Sequence, residues 1–174
     1  MSEPSVNAAS FASPLVRTAI LVRNLERSVR FYAEVLGLEE TRLDATITDP
    51  RAAGLLGHPG DTIQNVRIIK SGGPPVGMIG LFEIDPLQGD DPIPSGSARA
   101  GETCLVFYVR DLADLEARLA EAGAEIVGPA TDISIRAGHS SREMIFRDPD
   151  GGLINCLERS PGAGGEGYVL GPDP

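Results

Sequence analysis

The sequence predicts an α+β fold in which one βαβββ unit occurs twice along the chain. Three observations predict it. The tetrapeptide VRNL at residues 22–25 recurs as VRDL at residues 109–112. An apolar run of strand length precedes each copy, and a helical spacing of apolar residues that ends at a glycine follows each copy. An internal repeat with one order of elements therefore organises most of the chain.

The first two elements of each copy are a strand and a helix. Residues 18–22 and 104–109 are predicted strands because they are apolar and partly β-branched. Asn24 is predicted to cap the first helix and Gly37 to end it, and Asp111 and Gly123 have the same places in the second copy. The apolar residues that share one helix face are Leu25, Val29, Tyr32 and Leu36 in the first copy and Leu112, Leu115, Leu119 and Ala122 in the second.

Three short strands complete each copy. The pattern predicts them at residues 39–42, 62–70 and 77–84, and again at residues 125–127, 141–147 and 153–158. Residues 131–135 are a further strand candidate whose ends the pattern leaves open. Residues 49–56 predict a short extra helix that only the first copy has.

Stretches rich in glycine and proline separate the repeated units. We expect a flexible N-terminal arm at residues 1–14, a first module at residues 15–84, a linker at residues 85–101 and a second module at residues 102–159. Residues 160–174 form a C-terminal tail that is too rich in glycine and proline to fold alone. The tail is expected to lie against the domain or a dimer partner without joining the core.

Charge and composition exclude several classes of protein. The chain of 174 residues carries 25 acidic and 15 basic side chains, a formal charge of −10. Nucleic acids and anionic membranes select basic surfaces, so neither is expected as a partner. The chain has no apolar run near the ~20 residues of a membrane helix and no secretory signal at its start, so a cytoplasmic location is expected. Cys104 and Cys156 are too few for a disulfide framework or a cysteine-rich zinc site.

Two fragments of the repeat carry a family resemblance. RNLERS at residues 23–28, followed by FY at 31–32 and VLGL at 35–38, resembles the opening of a vicinal oxygen chelate module. FRDPDGGLI at residues 146–154 is similar to the terminal turn and strand of that family. The superfamily includes glyoxalase I, extradiol dioxygenases and bleomycin resistance proteins. The resemblance implies two paired βαβββ modules whose curled mixed sheets surround a cup-shaped cavity.

The resemblance also implies four positions for metal ligands. Metal-binding members use His, Gln or Glu on the first and last strand of each module. Residue by residue, those positions fall here on Arg17, Gly80, Cys104 and Asn155. None is a usual ligand of the family, since glycine has no donor group and arginine would place a permanent cation there. We therefore expect no metal and no other cofactor.

Nearby acids and histidines do not replace the missing ligands. Glu83 and Glu158 lie three residues beyond the aligned positions, so strand alternation turns them to the opposite face. His58 and His139 are predicted in glycine-flanked loops, as surface residues or at the cavity edge. Cys104 is interpreted as an apolar core cysteine, because no histidine is placed to lower the pKa of its thiol.

Strand alternation within the cup that the resemblance implies predicts the lining of the cavity. The inward side chains are Arg17, Ala19, Leu21, Met78, Gly80 and Phe82 in the first module and Cys104, Val106, Tyr108, Leu153, Asn155 and Leu157 in the second. Arg17, Tyr108 and Asn155 are the candidate catalytic residues, and the apolar neighbours are candidate ligand contacts. Arg17 either binds a carboxylate, enolate or phenolate of the ligand, or turns to solvent or to a structural carboxylate. Tyr108 either donates to the ligand or packs in the core.

Three functions remain open. The first is a metal-independent enzyme, of lyase or isomerase type, acting on a small anionic or aromatic metabolite. The second is a binding protein that sequesters a hydrophobic metabolite or drug, as bleomycin resistance members do. The third is a metal enzyme of glyoxalase or dioxygenase type with an unusual ligand set. The resemblance further implies a homodimer, in some members with modules exchanged between chains.

Overall fold

The computed structural model describes residues 13–73, 76–86, 93–136 and 139–158. The predicted C-terminal tail, most of the predicted N-terminal arm and part of the linker lie outside these residues. The elements in chain order are β1 (Arg17–Val22), α1 (Leu25–Leu36), β2 (Glu40–Ile47), α2 (Pro50–Leu55), β3 (Ile63–Lys70), β4 (Met78–Asp85), β5 (Cys104–Val109), α3 (Leu112–Ala122), β6 (Ile126–Arg136), β7 (His139–Arg147) and β8 (Leu153–Glu158).

The strands form two four-stranded mixed sheets, as the repeat predicts. The first sheet has the order β1-β4-β3-β2 and the second has the order β5-β8-β7-β6. In each sheet the first and last strands of the copy pair in parallel, and the other pairs are antiparallel. The two sheets remain separate in the chain. The α+β prediction is confirmed, and the sheets are not closed into one another.

The helix caps follow the predicted pattern in both copies. Asn24 Oδ1 accepts a hydrogen bond from the Arg27 backbone N–H at 2.8 Å, and helix α1 ends at Gly37 with a φ of 70°. Asp111 accepts from the N–H groups of Ala113 and Asp114, and α3 ends at Gly123 with a φ of 65°. Only glycine adopts this left-handed conformation at little cost, which explains why each helix stops there.

Glu83 and Glu158 have a repeated role on the helix side of the sheets. Glu83 Oε1 accepts from the Leu25 N–H at 3.1 Å, and Glu158 Oε2 accepts from the Leu112 N–H at 2.9 Å. Each carboxylate thereby satisfies an N–H group in the first turn of its helix, which has no partner within the helix. The prediction that both residues turn away from the aligned ligand positions is confirmed.

Two strands are longer than the pattern predicts. Strand β2 runs to Ile47 rather than ending at Arg42. Strand β6 joins the separate candidates at residues 125–127 and 131–135 into one element, Ile126–Arg136. Its pairing with β7 shifts register between Ile126 and Gly128 and again between Gly128 and Thr131. These irregularities let the strand continue through a glycine and a proline that, in the sequence, indicate a break.

One apolar core is shared by the two modules. Helices α1 and α3 contact each other, and the Arg118 guanidinium on α3 donates to the Glu34 carbonyl on α1 at 3.1 Å. The buried cluster includes Tyr32, Val35 and Leu81 from the first module and Leu119, Phe146 and Ile154 from the second. Each sheet therefore turns its helix-covered face toward this shared core.

The opposite face of each sheet is turned away from the shared core, and we call it the open face. On β1, Ile20 packs against the core and Val22 is buried in it, whereas Arg17, Ala19 and Leu21 are exposed on the open face. On β5, Leu105, Phe107 and Val109 pack against the core, whereas Cys104, Val106 and Tyr108 are exposed. The two open faces thus lie on opposite sides of the chain.

The predicted DPDG turn also joins the modules. Asp148 binds local N–H groups, including that of Gly152 at 2.7 Å, as turn chemistry predicts. Asp150 instead reaches the first module, where its carboxylate accepts from Ser28 Oγ at 2.9 Å and from the Arg23 N–H at 3.1 Å. The turn is therefore a hydrogen-bonded link between the second sheet and helix α1.

Candidate functional site

The four positions aligned with metal ligands lie in two separate pairs. Arg17 and Gly80 are neighbours on the open face of the first sheet, where Arg17 pairs in register with Met78 and Gly80 with Ala19. Cys104 and Asn155 lie on the open face of the second sheet. The shared core separates the two sheets, so one chain brings each pair together but does not bring the two pairs together.

The place of a side chain at Gly80 is already filled. A Cβ atom added to Gly80 would lie 3.0 Å from Phe82 Cε2 and 3.6 Å from Arg17 Cδ. The Phe82 ring therefore crowds the place of a side chain at this position and would have to shift by a few tenths of an ångström, whereas the Arg17 stem would be in ordinary contact with it. In the structure, a donor group cannot extend from this position without displacing Phe82.

Arg17 is an exposed cation on the open face of the first sheet. Its stem lies beside Gly80, and within the described part of the chain its guanidinium makes no hydrogen bond or ion pair. Of the alternatives that the sequence leaves open, the structure favours an arginine turned to solvent over one held by a carboxylate of its own chain. All five N–H donors of the guanidinium are thus available to a molecule that binds there.

A cluster of three polar side chains lies on the open face of the second sheet. Asn155 Nδ2 donates to Glu143 Oε2 at 2.8 Å, and Ser141 Oγ donates to Glu143 Oε1. Asn155 Oδ1 is buried without a hydrogen-bond partner. Among the described residues, no lysine or arginine forms an ion pair with Glu143. The cluster therefore holds a half-buried carboxylate that only neutral donors contact.

Glu143 is the polar residue that the sequence analysis missed. The positions aligned with metal ligands lie on β1, β4, β5 and β8, whereas Glu143 lies on β7. Alternation along β7 could have found it, because Glu143 and Ile145 are two residues apart and Ile145 pairs with Asn155 in register. Pairing β8 with β7 in the sequence analysis would therefore have placed Glu143 near Asn155.

The cysteines do not form a nucleophile or a disulfide. Both are free, and Cys156 is buried. Cys104 is exposed at the start of β5 on the open face, so its interpretation as a core cysteine is wrong. Partial burial raises the pKa of the Cys104 thiol, and burial raises the pKa of Cys156 to about 12. Both thiols are therefore protonated near neutral pH, which is the form with little nucleophilic reactivity.

The apolar side chains of the open faces differ between the sheets. On the first sheet, Met78 is buried with Val66 and Ile68, and Phe82 packs against them. On the second sheet, Val106 is 62% exposed and Tyr108 is 41% exposed, whereas Leu153 is buried. The first open face therefore has a small apolar cluster of its own, and the second presents uncovered apolar surface.

The donor set does not fit a metal ion. In the described part of the chain, no group of three or more His, Cys, Asp or Glu residues is arranged to hold one. His58 is half-buried after helix α2, and His139 is the first residue of β7 rather than part of a loop, which corrects the sequence prediction. Arginine and glycine offer no ligand for Zn²⁺ or Fe²⁺ at the aligned positions of the first sheet, and Cys104 and Asn155 at those of the second sheet supply at most two donors.

A polar cleft of about 390 Å³ lies on the helix side of the first sheet, away from the open faces. Arg67 crosses it and forms ion pairs with Asp44 at 2.8 Å and Glu26 at 3.1 Å. Glu83, the residue that caps α1, lies in its wall. The cleft is therefore held by internal ion pairs, and it contains none of the sequence-predicted site residues.

Comparison with known proteins agrees with this architecture. The structure is similar to that of a glyoxalase family protein from Bacillus cereus, with a TM-score of 0.73, 21% sequence identity and coverage of 88% of this chain and 98% of the other. A glyoxalase family protein from Enterococcus faecalis has a TM-score of 0.57 and 23% identity over 86% of this chain and 100% of the other. Glyoxalase I from Zea mays, as a mutant, has a TM-score of 0.57 and 17% identity over 84% of this chain and 46% of the other.

Sequence comparison with curated proteins gives no match. None of the helices in the described residues is long and apolar enough to cross a membrane. The family model of the Glyoxalase/Bleomycin resistance protein/Dioxygenase superfamily matches residues 15–155, which include the first module and all but the last four residues of the second. The chain therefore belongs to the Glyoxalase/Bleomycin resistance protein/Dioxygenase superfamily.

Proposed function

We propose that the protein binds a small anionic or aromatic molecule at its open faces and that neither binding nor conversion of this molecule uses a metal ion. The observation that carries this proposal is which residues occupy the positions aligned with metal ligands. Gly80 offers no donor, and the Phe82 ring crowds the place of a side chain there. The positive charge near this position comes from the Arg17 guanidinium instead.

Arg17 supports an anionic ligand because its guanidinium is uncompensated within the described chain. A planar fork of N–H donors suits carboxylate, enolate or phenolate oxygens. Apolar neighbours on the open faces suit an aromatic or aliphatic body, which is the usual composition of a small-molecule site. Tyr108 and Asn155 are proposed to add hydrogen bonds from the second sheet.

If the bound molecule is converted, the reaction that fits these groups is of lyase or isomerase type. Such reactions develop negative charge on an oxygen, and a fixed guanidinium stabilises that charge without coordination chemistry. Sequestration of an unchanged ligand uses the same binding groups. The two differ in whether the ligand leaves chemically altered.

The proposed site needs a second copy of the chain. The Arg17 half and the Asn155 half lie on opposite sides of the shared core, so a homodimer is the simplest assembly that joins them. This follows the assembly that the family resemblance implies.

The test combines metal analysis with binding of a defined probe. We expect protein purified without chelator to contain far less than one transition metal ion per chain, and to bind benzoate equally before and after treatment with EDTA. Native mass spectrometry of the same sample checks for a small molecule that copurifies. About one zinc, iron, manganese or nickel ion per chain, together with loss of benzoate binding in EDTA, would contradict the proposal.

A further inference from the structure

The open face of the second sheet carries a carboxylate that no lysine or arginine of the described chain contacts. Glu143 is half-buried, and its two oxygens accept from the neutral donors Ser141 Oγ and Asn155 Nδ2. A carboxylate has about four acceptor sites, so further sites remain on both oxygens. Burial weakens hydration, and charge-assisted hydrogen bonds are stronger than neutral ones. A cation with N–H donors would therefore stabilise Glu143 beyond what its two neighbours supply.

The hydrogen bonds of this cluster leave it with more acceptors than donors. Asn155 Nδ2 donates to Glu143 Oε2 at 2.8 Å, and Asn155 Oδ1 is buried with no partner among the residues that the structure describes. The reversed amide would place Oδ1 against the carboxylate oxygen, so Glu143 fixes the orientation of the amide. The hydroxyl of Ser141 also donates to Glu143. The cluster therefore favours a ligand that brings donors rather than acceptors.

Strand register places an aromatic ring in the same row as this carboxylate. Tyr108 on β5 pairs with Leu157 on β8, and Leu157 pairs with Glu143 on β7. The Cα atoms of Tyr108 and Glu143 are therefore about 10 Å apart, the width of two strand spacings, and their side chains share one face. Tyr108 is 41% exposed and Val106 is 62% exposed. The row thus offers apolar surface for the body of a ligand, and a ring whose face attracts a cation, beside the carboxylate.

The charge of the whole chain favours the same kind of ligand. The formal charge is −10, which attracts cations and repels anions at long range. On the first open face the exposed Arg17 opposes this field locally, whereas on the second open face Glu143 adds to it. The two open faces therefore differ in the sign of the charged group that each one selects.

We propose that the open face of the second sheet binds an organic cation with N–H donors, an ammonium or amidinium group on an aromatic or aliphatic body, and that Glu143 is its counter-ion. Ser141 and Asn155 are positioning residues that hold the carboxylate, and Tyr108 contacts the body of the ligand. The inference rests on the proposed function in that the same small molecule occupies the open faces. It adds that this molecule carries a cationic group on the side of the second sheet.

The decisive experiment compares benzamidine with benzamide by calorimetric titration at low ionic strength. The two probes have nearly the same shape, but benzamidine is a cation with a planar fork of N–H donors and benzamide is neutral. We expect the parent chain to bind benzamidine about 10- to 100-fold more tightly than benzamide, the range for hydrogen bonds to charged groups. Glu143→Gln should remove most of this preference, because glutamine keeps the shape and both neighbouring hydrogen bonds but has no charge.

A matched variant controls for the loss of one negative charge from the chain. Glu116 is exposed on α3, on the helix side of the second sheet, and Glu116→Gln should leave benzamidine affinity within a few-fold. Tyr108→Leu should weaken benzamidine binding several-fold and Tyr108→Phe should not, because the ring and not the hydroxyl faces the cation. Far-UV circular dichroism and thermal melting check that every variant is folded.

Nuclear magnetic resonance of the parent chain locates the site without any substitution. Benzamidine should shift the backbone amide signals of residues 141–145 and 153–157, where β7 and β8 carry the cluster. Shifts confined to the first sheet or to the helices would overturn the proposal, whether or not Glu143→Gln folds.

Two titration results would also overturn the cation site: a parent chain that binds benzamidine no more tightly than benzamide, or a Glu143→Gln variant that loses no more benzamidine affinity than Glu116→Gln. Binding of benzoate separates this outcome from the proposed function. A chain that binds benzoate but does not prefer benzamidine to benzamide retains the proposed function and loses the cation site. A chain that binds benzamidine through Glu143 but does not bind benzoate retains the cation site and loses the anionic ligand of the proposed function.

Discussion

The hydroxyl of Tyr32 on helix α1 donates a 2.8 Å hydrogen bond to Oδ2 of Asp148, which follows strand β7 in the other module. Both side chains are buried. Burial and the neighbouring carboxylate raise the pKa of Tyr32 well above its usual range, so the phenol keeps its proton and acts as donor. Burial also raises the pKa of Asp148, although the Tyr32 hydroxyl and local N–H groups oppose that shift.

Tyr32→Phe tests this link between the modules. Removing the hydroxyl leaves a buried carboxyl group with one donor fewer, and we expect the free energy of unfolding to fall by about 1.5–3 kcal/mol. Urea denaturation at neutral pH measures the change. The double variant Tyr32→Phe/Asp148→Asn should lose less than the sum of the two single losses, because both remove one interaction. Strict additivity would show that the hydrogen bond contributes nothing.

Gly80→Ala tests whether the former ligand position is closed. The new Cβ would lie 3.0 Å from Phe82 Cε2, so the ring must move, and we expect a loss of about 1–2 kcal/mol in unfolding free energy. Phe82→Leu in the same chain should reduce that loss, since the smaller side chain vacates the space. Gly54→Ala is the control, because nothing lies within 4 Å of its added Cβ and alanine favours the helix. An equal gain in unfolding free energy for Gly80→Ala and Gly54→Ala would contradict the steric explanation.

The ion pair between Arg147 and Glu102 makes part of the stability depend on pH. Arg147 is buried, donates to the Gly96 and Gly151 carbonyls, and lies 3.2 Å from Glu102 Oε2. Its hydrogen bond is the main cause that lowers the pKa of Glu102 below the usual 4.5. A lowered pKa in the folded state means that this stabilisation is present above about pH 4.5 and is lost as the pH falls through the lowered pKa.

Glu102→Gln should therefore flatten the acid limb of the stability curve. Between about pH 5 and about pH 3, the parent chain should lose more unfolding free energy than the variant does. Thermal melting at a series of pH values measures the two slopes. Glu116→Gln, at an exposed helix position, should keep the parent slope. A Glu102→Gln slope as steep as that of the parent would assign the acid sensitivity to other carboxylates.

Arg17→Met tests the anionic ligand that the proposed function requires. The substitution keeps an apolar stem beside Gly80 and removes the charge. The loss for benzoate should be about 1.5–3 kcal/mol, the range for hydrogen bonds to charged groups, whereas benzyl alcohol, which is neutral, should bind nearly as before. Calorimetric titration is done at a protein concentration above the dimer dissociation constant of the variant, so that weaker assembly does not imitate weaker binding. Equal loss for both probes would assign Arg17 a structural role.

Local chemistry made most of the fold predictable from the sequence. The caps at Asn24 and Asp111 and the glycines at 37 and 123 define each helix by interactions among neighbours in the chain. Strand β6 was divided in two because its continuity depends on pairing with β7, which compensates for the irregularity at Gly128. Such pairing is a long-range property that a local pattern does not contain.

The candidate site was predictable only in halves. Alternation along β1 and β5 correctly grouped the side chains of each open face, but it does not determine how the two sheets are placed. A shared core with the open faces outward satisfies the same apolar pattern as two sheets around one cavity. Glu143 was missed for a related reason, since its proximity to Asn155 arises from the pairing of β7 with β8.

The shared core has a consequence for the repeat itself. Leu81 from one copy and Leu119 from the other are fully buried in the same cluster, so neither copy contains a complete interior. The two modules are therefore expected to fold together as one cooperative unit, although the sequence repeats them as two copies. Heating should produce a single calorimetric transition, and a chain cut within the linker should yield fragments that become ordered only when mixed.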